Sequence, residues 1–191
     1  MKKILATLAL VVLVAGVAMA QDELSFERKQ AIDSLALEKV RDLSKYIKIV
    51  GSKETAWSEA NRVIDRAEEL FMSNAEIGVS SIASNKIKYY KVRPYFEHLM
   101  RLNYDRVEIE WYNIEYVSDL QRQPDGTYVG VITIFQTFRG YDKEGRLTYK
   151  DTTKKDITVY VKRKETQIGG RTIGFWDVLL GDMRVKETAN K

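Results

Sequence analysis

The C-terminal half of the chain consists of long apolar and β-branched segments separated by glycine-containing turns, and this pattern restricts the fold more than any other feature. The turn signals are Pro124-Asp125-Gly126, Asp142-Lys143-Glu144-Gly145 and Gly169-Gly170. The segments beside them are residues 107–116, 128–138, 147–162 and 173–185. Such segments are typical of β-strands. Because sequential strands joined by short turns usually pair with each other, we predict an antiparallel meander of four long strands.

The first of these strands changes its alternation part-way along. Val107, Ile109 and Trp111 place apolar side chains at odd positions, and after residue 113 the apolar side chains fall at even positions. A shift of one residue moves every following side chain to the opposite face of a sheet. One extra residue near Tyr112-Asn113 explains the change, so we predict a β-bulge there.

The third strand combines an apolar face with many lysines. Ile157, Val159 and Val161 share one face, which we predict to be buried. Lys154 and Lys155 stand beside acidic residues, and lysines commonly protect the solvated edge of a sheet. We therefore interpret both lysines as solvent-facing.

The N-terminal third of the chain has helical periodicity. Apolar residues recur every three to four positions over residues 26–50, with Ser25 as a cap and Gly51 as a stop. A second helix is predicted over residues 55–72. Its predicted inner side chains are Trp57, Ala60, Ile64, Ala67 and Phe71. A short strand pair follows at residues 75–83 and 87–92, and a third helix begins near Pro94 and ends near residue 103.

The first twenty residues have the three parts of a secretory signal peptide. Lys2 and Lys3 precede an apolar run over residues 4–17, and Ala18-Met19-Ala20 is a small-residue cleavage pattern. The apolar run is shorter than the ~20 residues that span a bilayer, which disfavours a membrane anchor. We expect cleavage before Gln21, no transmembrane segment in the mature chain, and a periplasmic or secreted product. The sequence contains no cysteine for a lipoprotein linkage.

Composition excludes several classes of function. Without Lys2 and Lys3, the 31 basic residues become 29 against 27 acidic residues, a balance of +2 that indicates no nucleic-acid partner. One histidine and no cysteine leave none of the usual zinc ligand sets. No P-loop, dinucleotide-binding glycine motif or serine-nucleophile elbow occurs. We expect no metal and no cofactor.

The order of these elements resembles that of the nuclear transport factor 2-like superfamily, also called cystatin-like or SnoaL-like. The resemblance covers about residues 56–187 and ends in the strand that contains Phe175-Trp176-Asp177-Val178-Leu179. It implies an α+β cone, in which N-terminal helices pack on a curved antiparallel sheet and a pocket opens between them. The predicted domains are a signal peptide at 1–20, a helical extension at 21–52 and the α+β domain at 53–191.

Six side chains are candidates for lining the implied pocket. They are His98, Trp111, Tyr112, Gln136, Trp176 and Asp177. Isomerases of the superfamily use a buried aspartate base, and Asp177 lies in an apolar strand. Strand alternation also allows Asp177 to face solvent. Gln136 lies among apolar neighbours, so its amide needs a partner or a ligand if it is buried.

Three classes of function remain open. The first is a non-catalytic exported module that binds a small apolar ligand or a peptide. The second is an accessory protein of a bacterial cell-envelope assembly. The third is a small-molecule isomerase, cyclase or dehydratase. A deep pocket with a buried acid favours the enzyme, a filled cone with an exposed apolar sheet favours assembly, and a deep apolar pocket without an acid favours binding. We also expect a homodimer or a partner on the free sheet face, because the second long strand is apolar on both faces.

Overall fold

The computed structural model of the protein describes residues 24–82 and 84–189. The predicted signal peptide at residues 1–20 lies outside the described residues. The chain divides into two compact units, residues 1–33 and residues 34–191. The described part of the first unit is the beginning of a helix, in which the Ser25 hydroxyl accepts a hydrogen bond from the Arg28 backbone N–H at 3.4 Å.

Three helices precede or interrupt the strands. Helix α1 spans Phe26–Gly51, α2 spans Trp57–Glu68 and α3 spans Val92–Met100. The apolar side chains of α1 within the second unit that are fully or almost fully buried are those of Ala36, Val40, Leu43, Ile47 and Val50, as the helical period predicts. In α2 the period also buries Ala60 and Ile64. Trp57 was predicted to face the core, but it is 61% exposed, because it begins the helix at its outer end.

Helix α3 is held in place by contacts at both ends. Near its beginning the Arg93 guanidinium binds the carboxylates of Asp65 and Glu68, each at 2.5 Å. At its end the Lys53 ammonium donates hydrogen bonds to the carbonyl oxygens of Met100 at 3.0 Å and Leu102 at 2.6 Å. A cation at this position satisfies carbonyl groups that lack partners within the helix.

Six strands form one sheet. They are β1 (Glu76–Ser81), β2 (Ser84–Lys91), β3 (Arg106–Arg122), β4 (Tyr128–Tyr141), β5 (Leu147–Ile168) and β6 (Arg171–Ala189), in the spatial order β2-β1-β6-β5-β4-β3. The last four strands form the predicted antiparallel meander. The short hairpin joins this meander through a parallel pairing of β1 with β6 at Ile77 and Met183, so the sheet is mixed. The α+β architecture expected from the sequence is confirmed.

The predicted bulge in β3 is present. The register between β3 and β4 shifts between Tyr112 and Glu115, and Asn113 adopts a left-handed backbone conformation with φ of 49°. Asparagine tolerates this conformation better than most residues. Bulges bend a strand and increase its twist, and they are one source of sheet curvature.

Strand β5 shows which face of the sheet is buried. Its odd-numbered side chains from residue 151 to residue 161 are all buried, and the even-numbered ones between them are half-buried. We call the first set, with the side chains opposite them on neighbouring strands, the inner face. The other set defines the outer face. The prediction that Ile157, Val159 and Val161 share a buried face is confirmed.

Candidate functional site

The inner face of β5 changes in chemistry half-way along the strand. Ile157, Val159 and Val161 form an apolar segment, whereas Asp151, Thr153 and Lys155 continue the same face towards the beginning of the strand. These three polar residues are as buried as ordinary core residues, since they are only 4%, 2% and 3% exposed. A buried carboxyl and a buried amine are costly unless a partner or a ligand compensates them.

A cavity of about 220 Å³ lies above these polar residues. One wall is α3, which contributes Tyr95, His98 and Leu99, and the floor is the inner face of β3, β4 and β5. The hairpin strand β1 closes one side through Val79, Ser80 and Ser81. The remaining lining residues are Leu102, Tyr104, Ile109, Gln136, Phe138, Tyr149, Asp151, Thr153 and Lys155. The cavity therefore has aromatic and aliphatic walls and a polar floor, as small-molecule sites commonly do.

Asp151 is anchored by a tyrosine. The Tyr149 hydroxyl donates a hydrogen bond of 2.6 Å to Asp151 Oδ2 and accepts one of 3.2 Å from the Ile82 backbone N–H. The Ser81 hydroxyl lies 3.0 Å from the same tyrosine oxygen. Burial raises the pKa of the Asp151 carboxyl, while the Tyr149 hydrogen bond and the charge of Lys155 oppose the increase. This carboxyl is a stronger base than an exposed aspartate.

Lys155 is a buried amine on the cavity floor. Within the part of the chain that the structure describes, its ammonium nitrogen makes no hydrogen bond and no ion pair shorter than 4 Å. Burial lowers its pKa to about 8, and the nearby charge of Asp151 partly opposes this effect. The amine therefore gains and loses its proton close to neutral pH, unlike an exposed lysine.

The amide of Gln136 has a defined orientation. The Trp111 indole N–H donates a hydrogen bond of 3.1 Å to Gln136 Oε1. Because an indole nitrogen can only donate, this contact fixes which end of the amide is the oxygen. The Gln136 NH₂ group then remains available as a donor, and Gln136 lines the cavity.

Gly140 makes room for an aromatic wall residue. A Cβ atom at this position would lie 2.5 Å from the ring of Tyr104, which is too close for any side chain. The Tyr104 ring packs against Phe138 with centroids 5.7 Å apart. Burial raises the pKa of the Tyr104 hydroxyl, and the charge of Asp151 adds to this effect. The glycine at position 140 thus allows the Tyr104 ring to form the cavity wall beside Asp151.

With helices on one side of a six-stranded sheet and a cavity between them, the architecture is that of the cone expected from the sequence. The chain resembles the nuclear transport factor 2-like superfamily in fold. No protein-family model matches the sequence, and no curated protein matches it significantly.

Two solved structures are similar to this chain. One is a protein from Novosphingobium aromaticivorans provisionally assigned as a scytalone dehydratase, with 11% identity over 87% of this chain and 92% of that chain, and a TM-score of 0.45. The other is a type 2 hexachlorocyclohexane dehydrochlorinase (LinA), with 14% identity over 85% of this chain and 91% of that chain, and a TM-score of 0.40.

Two of the six candidates line the cavity, and a third is hydrogen-bonded to one of them. Gln136 lines it, Trp111 orients Gln136, and His98 stands at its rim, where it is exposed. The His98 ring stacks on Tyr90 with centroids 5.3 Å apart. Its exposure and this stacking give His98 a packing role at the rim, and no carboxylate is hydrogen-bonded to it within the described residues.

The other three candidates lie elsewhere. Trp176 is on the inner face, but it packs edge-on against Tyr128 at the far end of β4, with centroids 5.7 Å apart. Tyr112 is on the outer face and stacks on Phe135. Asp177 is also on the outer face, where its carboxylate is 2.5 Å from the Lys164 ammonium. The structure does not bring these three together with Gln136.

Asp151 and Lys155 were not among the candidates, and the interpretation of Lys155 as a solvent-facing edge lysine is wrong. Strand β5 lies between β4 and β6 and is not an edge strand. One signal in the sequence could have located both residues. Counting back in steps of two from Ile157 places Lys155, Thr153 and Asp151 on the buried face. Lys154, which has the opposite parity, is on the outer face.

Two further observations concern cofactors and membranes. Among the described residues, no group of three or more histidine, aspartate or glutamate side chains has the arrangement of a metal site. None of the helices within residues 24–82 and 84–189 is both long enough and apolar enough to cross a bilayer.

Proposed function

We propose that the protein is a small-molecule enzyme of the isomerase or dehydratase type, which transfers a proton to or from a ligand held in the cavity. The observation that carries this proposal is the pair of buried titratable groups on the cavity floor. Asp151 has a raised pKa and Lys155 has a lowered pKa. Titratable groups with displaced pKa values in a cleft are typical of acid–base catalysis.

The proposed roles follow from the chemistry of each group. Asp151 is the base, because its carboxylate is poorly solvated and Tyr149 holds it in one orientation. Lys155 and the Gln136 amide are donors that stabilise negative charge developing on a ligand oxygen. Lysine with a pKa of about 8 is still mostly protonated at neutral pH, so it can donate a proton as well as a hydrogen bond.

The volume and lining of the cavity also limit the size and the polarity of the ligand. A volume of about 220 Å³ admits a compact molecule, and the walls formed by Leu99, Ile109 and Phe138 favour an apolar body. The polar floor requires at least one oxygen on that body, because otherwise Lys155 and Gln136 would remain unpaired in the complex. The predicted ligand is therefore a small, mainly apolar compound with a carbonyl or hydroxyl group.

A second candidate is a non-catalytic carrier of the same kind of ligand. One observation favours it: Tyr149 already occupies one oxygen of the Asp151 carboxylate, which leaves a single oxygen for catalysis. A carrier would use Lys155 only as an anchor for the ligand oxygen. The role of a cell-envelope accessory protein stays a prediction, as do the homodimer or envelope partner on the outer face and export to the periplasm or the medium.

Hydrogen exchange at carbon separates an enzyme from a carrier. Phenylacetone is a suitable probe, because it has an apolar ring, one carbonyl oxygen and acidic C–H bonds. NMR in D₂O would measure how fast its protons exchange in the presence of the protein. We expect saturable acceleration by the wild type and a loss of at least about 100-fold in Asp151→Asn, the usual scale for a missing general base.

Asp177→Asn is the matched control, because this aspartate is on the outer face and pairs with Lys164. It should exchange the probe at the wild-type rate. Saturable binding of phenylacetone without any acceleration would overturn the catalytic proposal and favour the carrier. Equal losses in both variants would show that Asp151 has no special role.

A further inference from the structure

The surroundings of Lys155 also suit a nucleophile. Its direct cross-strand neighbours are Ile134 on β4 and Val185 on β6, so apolar side chains flank it on both sides. The residue is 3% exposed, yet it lines an open cavity and its nitrogen makes no hydrogen bond within the described residues. An amine with no acceptor holding its protons has its lone pair available once it is neutral.

The neutral form of this amine is accessible at ordinary pH. With a pKa of about 8, about one molecule in ten carries the free amine at pH 7. For an exposed lysine with the ordinary value of 10.5, the fraction is smaller by a factor of about 300. Desolvation by an apolar pocket is a known way to activate a lysine for attack on carbonyl compounds.

We propose that Lys155 forms an imine with the carbonyl group of an aldehyde or ketone ligand, and this inference rests on the proposed function of the same cavity. The neutral amine attacks the carbonyl carbon, a C–N bond forms, and the carbonyl oxygen takes up a proton to give a carbinolamine. The C–O bond then breaks, and water leaves as the C=N bond forms. One amine and one carbonyl compound give one imine and one water, so no oxidant or reductant is needed.

Asp151 is placed to move the protons of these steps. It lines the same cavity and interacts electrostatically with Lys155. It can accept the proton that the nitrogen loses after attack and return it to the departing hydroxyl group. The imine also acidifies the neighbouring C–H bonds of the ligand, so the same carboxylate would then act as the base assigned above.

Reductive trapping tests the inference directly. Benzaldehyde is the probe, since it has an apolar ring and no C–H bond next to its carbonyl that could react further. The full chain is treated with benzaldehyde and cyanoborohydride at pH 7, and labelled peptides are identified by mass spectrometry. We expect one benzyl group on Lys155, formed at least about tenfold faster than on any other lysine.

Lys154→Arg is the matched control, because Lys154 adjoins Lys155 on the same strand but lies on the outer face. It should be trapped at the wild-type rate, whereas Lys155→Arg and Lys155→Met should lose the fast label. Circular dichroism would establish that each variant is folded. The wild-type peptide map decides the question even if both Lys155 variants fail to fold. Labelling of Lys155 no faster than Lys154 would overturn the inference.

The two proposals fail in different ways. If the protein exchanges phenylacetone protons with dependence on Asp151 but benzaldehyde never traps Lys155, the imine is wrong and the acid–base function stands. If Lys155 is trapped but no exchange occurs, the covalent capture is right and the catalytic function is wrong.

Discussion

The two halves of the inner face of β5 have the same strand geometry and different chemistry. From Ile157 to Val161 the face is apolar, fully buried and packed into the core. From Asp151 to Lys155 it is just as buried, yet it carries a carboxyl, a hydroxyl and an amine under an open cavity. Backbone pairing continues across both halves, since β4 stays in register with β5 from residue 128 to residue 140.

This difference shows how stability and function are divided along one strand. The apolar half gains free energy by removing side chains from water. The polar half gives up part of that gain, because Asp151 and Lys155 lose hydration on burial, and of the two only Asp151 has a hydrogen-bond partner among the described residues. Such a loss is expected where binding or catalysis requires the group. The contrast leads to predictions that we order by the size of the expected effect.

The largest effect on stability should come from placing a polar side chain of one half of the face into the apolar half. Ile157→Lys puts an amine into the packed half, where no cavity or carboxylate is adjacent in the register. We expect it to lower the free energy of unfolding by about 4 kcal/mol or more, since it combines an unpaired buried charge with disrupted packing. Urea unfolding followed by circular dichroism would measure the change.

Lys155→Met is the converse substitution, two positions away on the same face. Methionine has a similar length and flexibility and no charge, so the fold should be retained at equal or higher stability. The contrast between the two halves would be refuted if Lys155→Met destabilised the protein as much as Ile157→Lys does.

The same contrast explains which parts of the structure could be predicted from the sequence. The apolar stripe of α1 and the face of Ile157, Val159 and Val161 were predictable, because burial follows an apolar period there. The bulge was predictable because the parity of β3 changes at Asn113. Residues 151–156 read Asp-Thr-Thr-Lys-Lys-Asp, with polar side chains at both parities, so this segment has no hydrophobic period of its own and its inner face is found only by counting back from Ile157.

Other features depend on contacts between distant segments. The parallel pairing of Ile77 with Met183 joins elements more than a hundred residues apart, and no local pattern encodes it. Trp176 and Tyr112 are large aromatic residues in strands, but only the register of the sheet decides their distance from the cavity. The hydrogen bond of Trp111 to Gln136 likewise required the pairing of β3 with β4.

A second prediction concerns the pH dependence of stability. The ionisation of Lys155 should change the free energy of unfolding by up to about 3 kcal/mol. The pKa of Lys155 is about 8 in the folded chain and 10.5, the ordinary lysine value, in the unfolded chain. Between these values the unfolded state holds more protons, so the stability of the wild type rises with pH across this window. The Lys155→Met variant has no amine at this position, so its stability lacks this rise with pH. It should therefore be more stable than the wild type below pH 8, and the two should converge by about pH 10.5.

Thermal unfolding of both proteins between pH 6 and pH 10.5 would show this convergence, and other titrating groups cancel in the difference. Lys154→Met, on the outer face, should give a difference that does not change over the same range. A constant difference between wild type and Lys155→Met would mean that Lys155 is hydrated in the folded protein.

The smallest expected effect is a difference in stability cost between removing two tyrosine–carboxylate hydrogen bonds of similar length. One of these bonds is in the cavity and the other is on the surface. Tyr149 donates to the buried Asp151 at 2.6 Å, and Tyr141 donates to the more exposed Glu108 at 2.8 Å. Tyr149→Phe should cost about 1 to 2 kcal/mol at pH 7, because the buried Asp151 carboxylate loses a hydrogen-bond donor and the exposed Ile82 N–H loses an acceptor. Tyr141→Phe should cost less than about 0.5 kcal/mol, since water replaces the lost hydroxyl.

The pH dependence of the Tyr149→Phe effect identifies its cause. The Tyr149 hydrogen bond lowers the pKa of Asp151, so its loss raises that pKa further. A carboxyl with a raised folded-state pKa loses stability as pH rises through the window between its unfolded and folded values. The cost of Tyr149→Phe should therefore be larger at pH 7 than at pH 3.5, where Asp151 is largely protonated in both states. If the cost were the same at both pH values, the hydroxyl would stabilise the hairpin through Ile82 and Ser81 and would leave the ionisation of Asp151 unaffected.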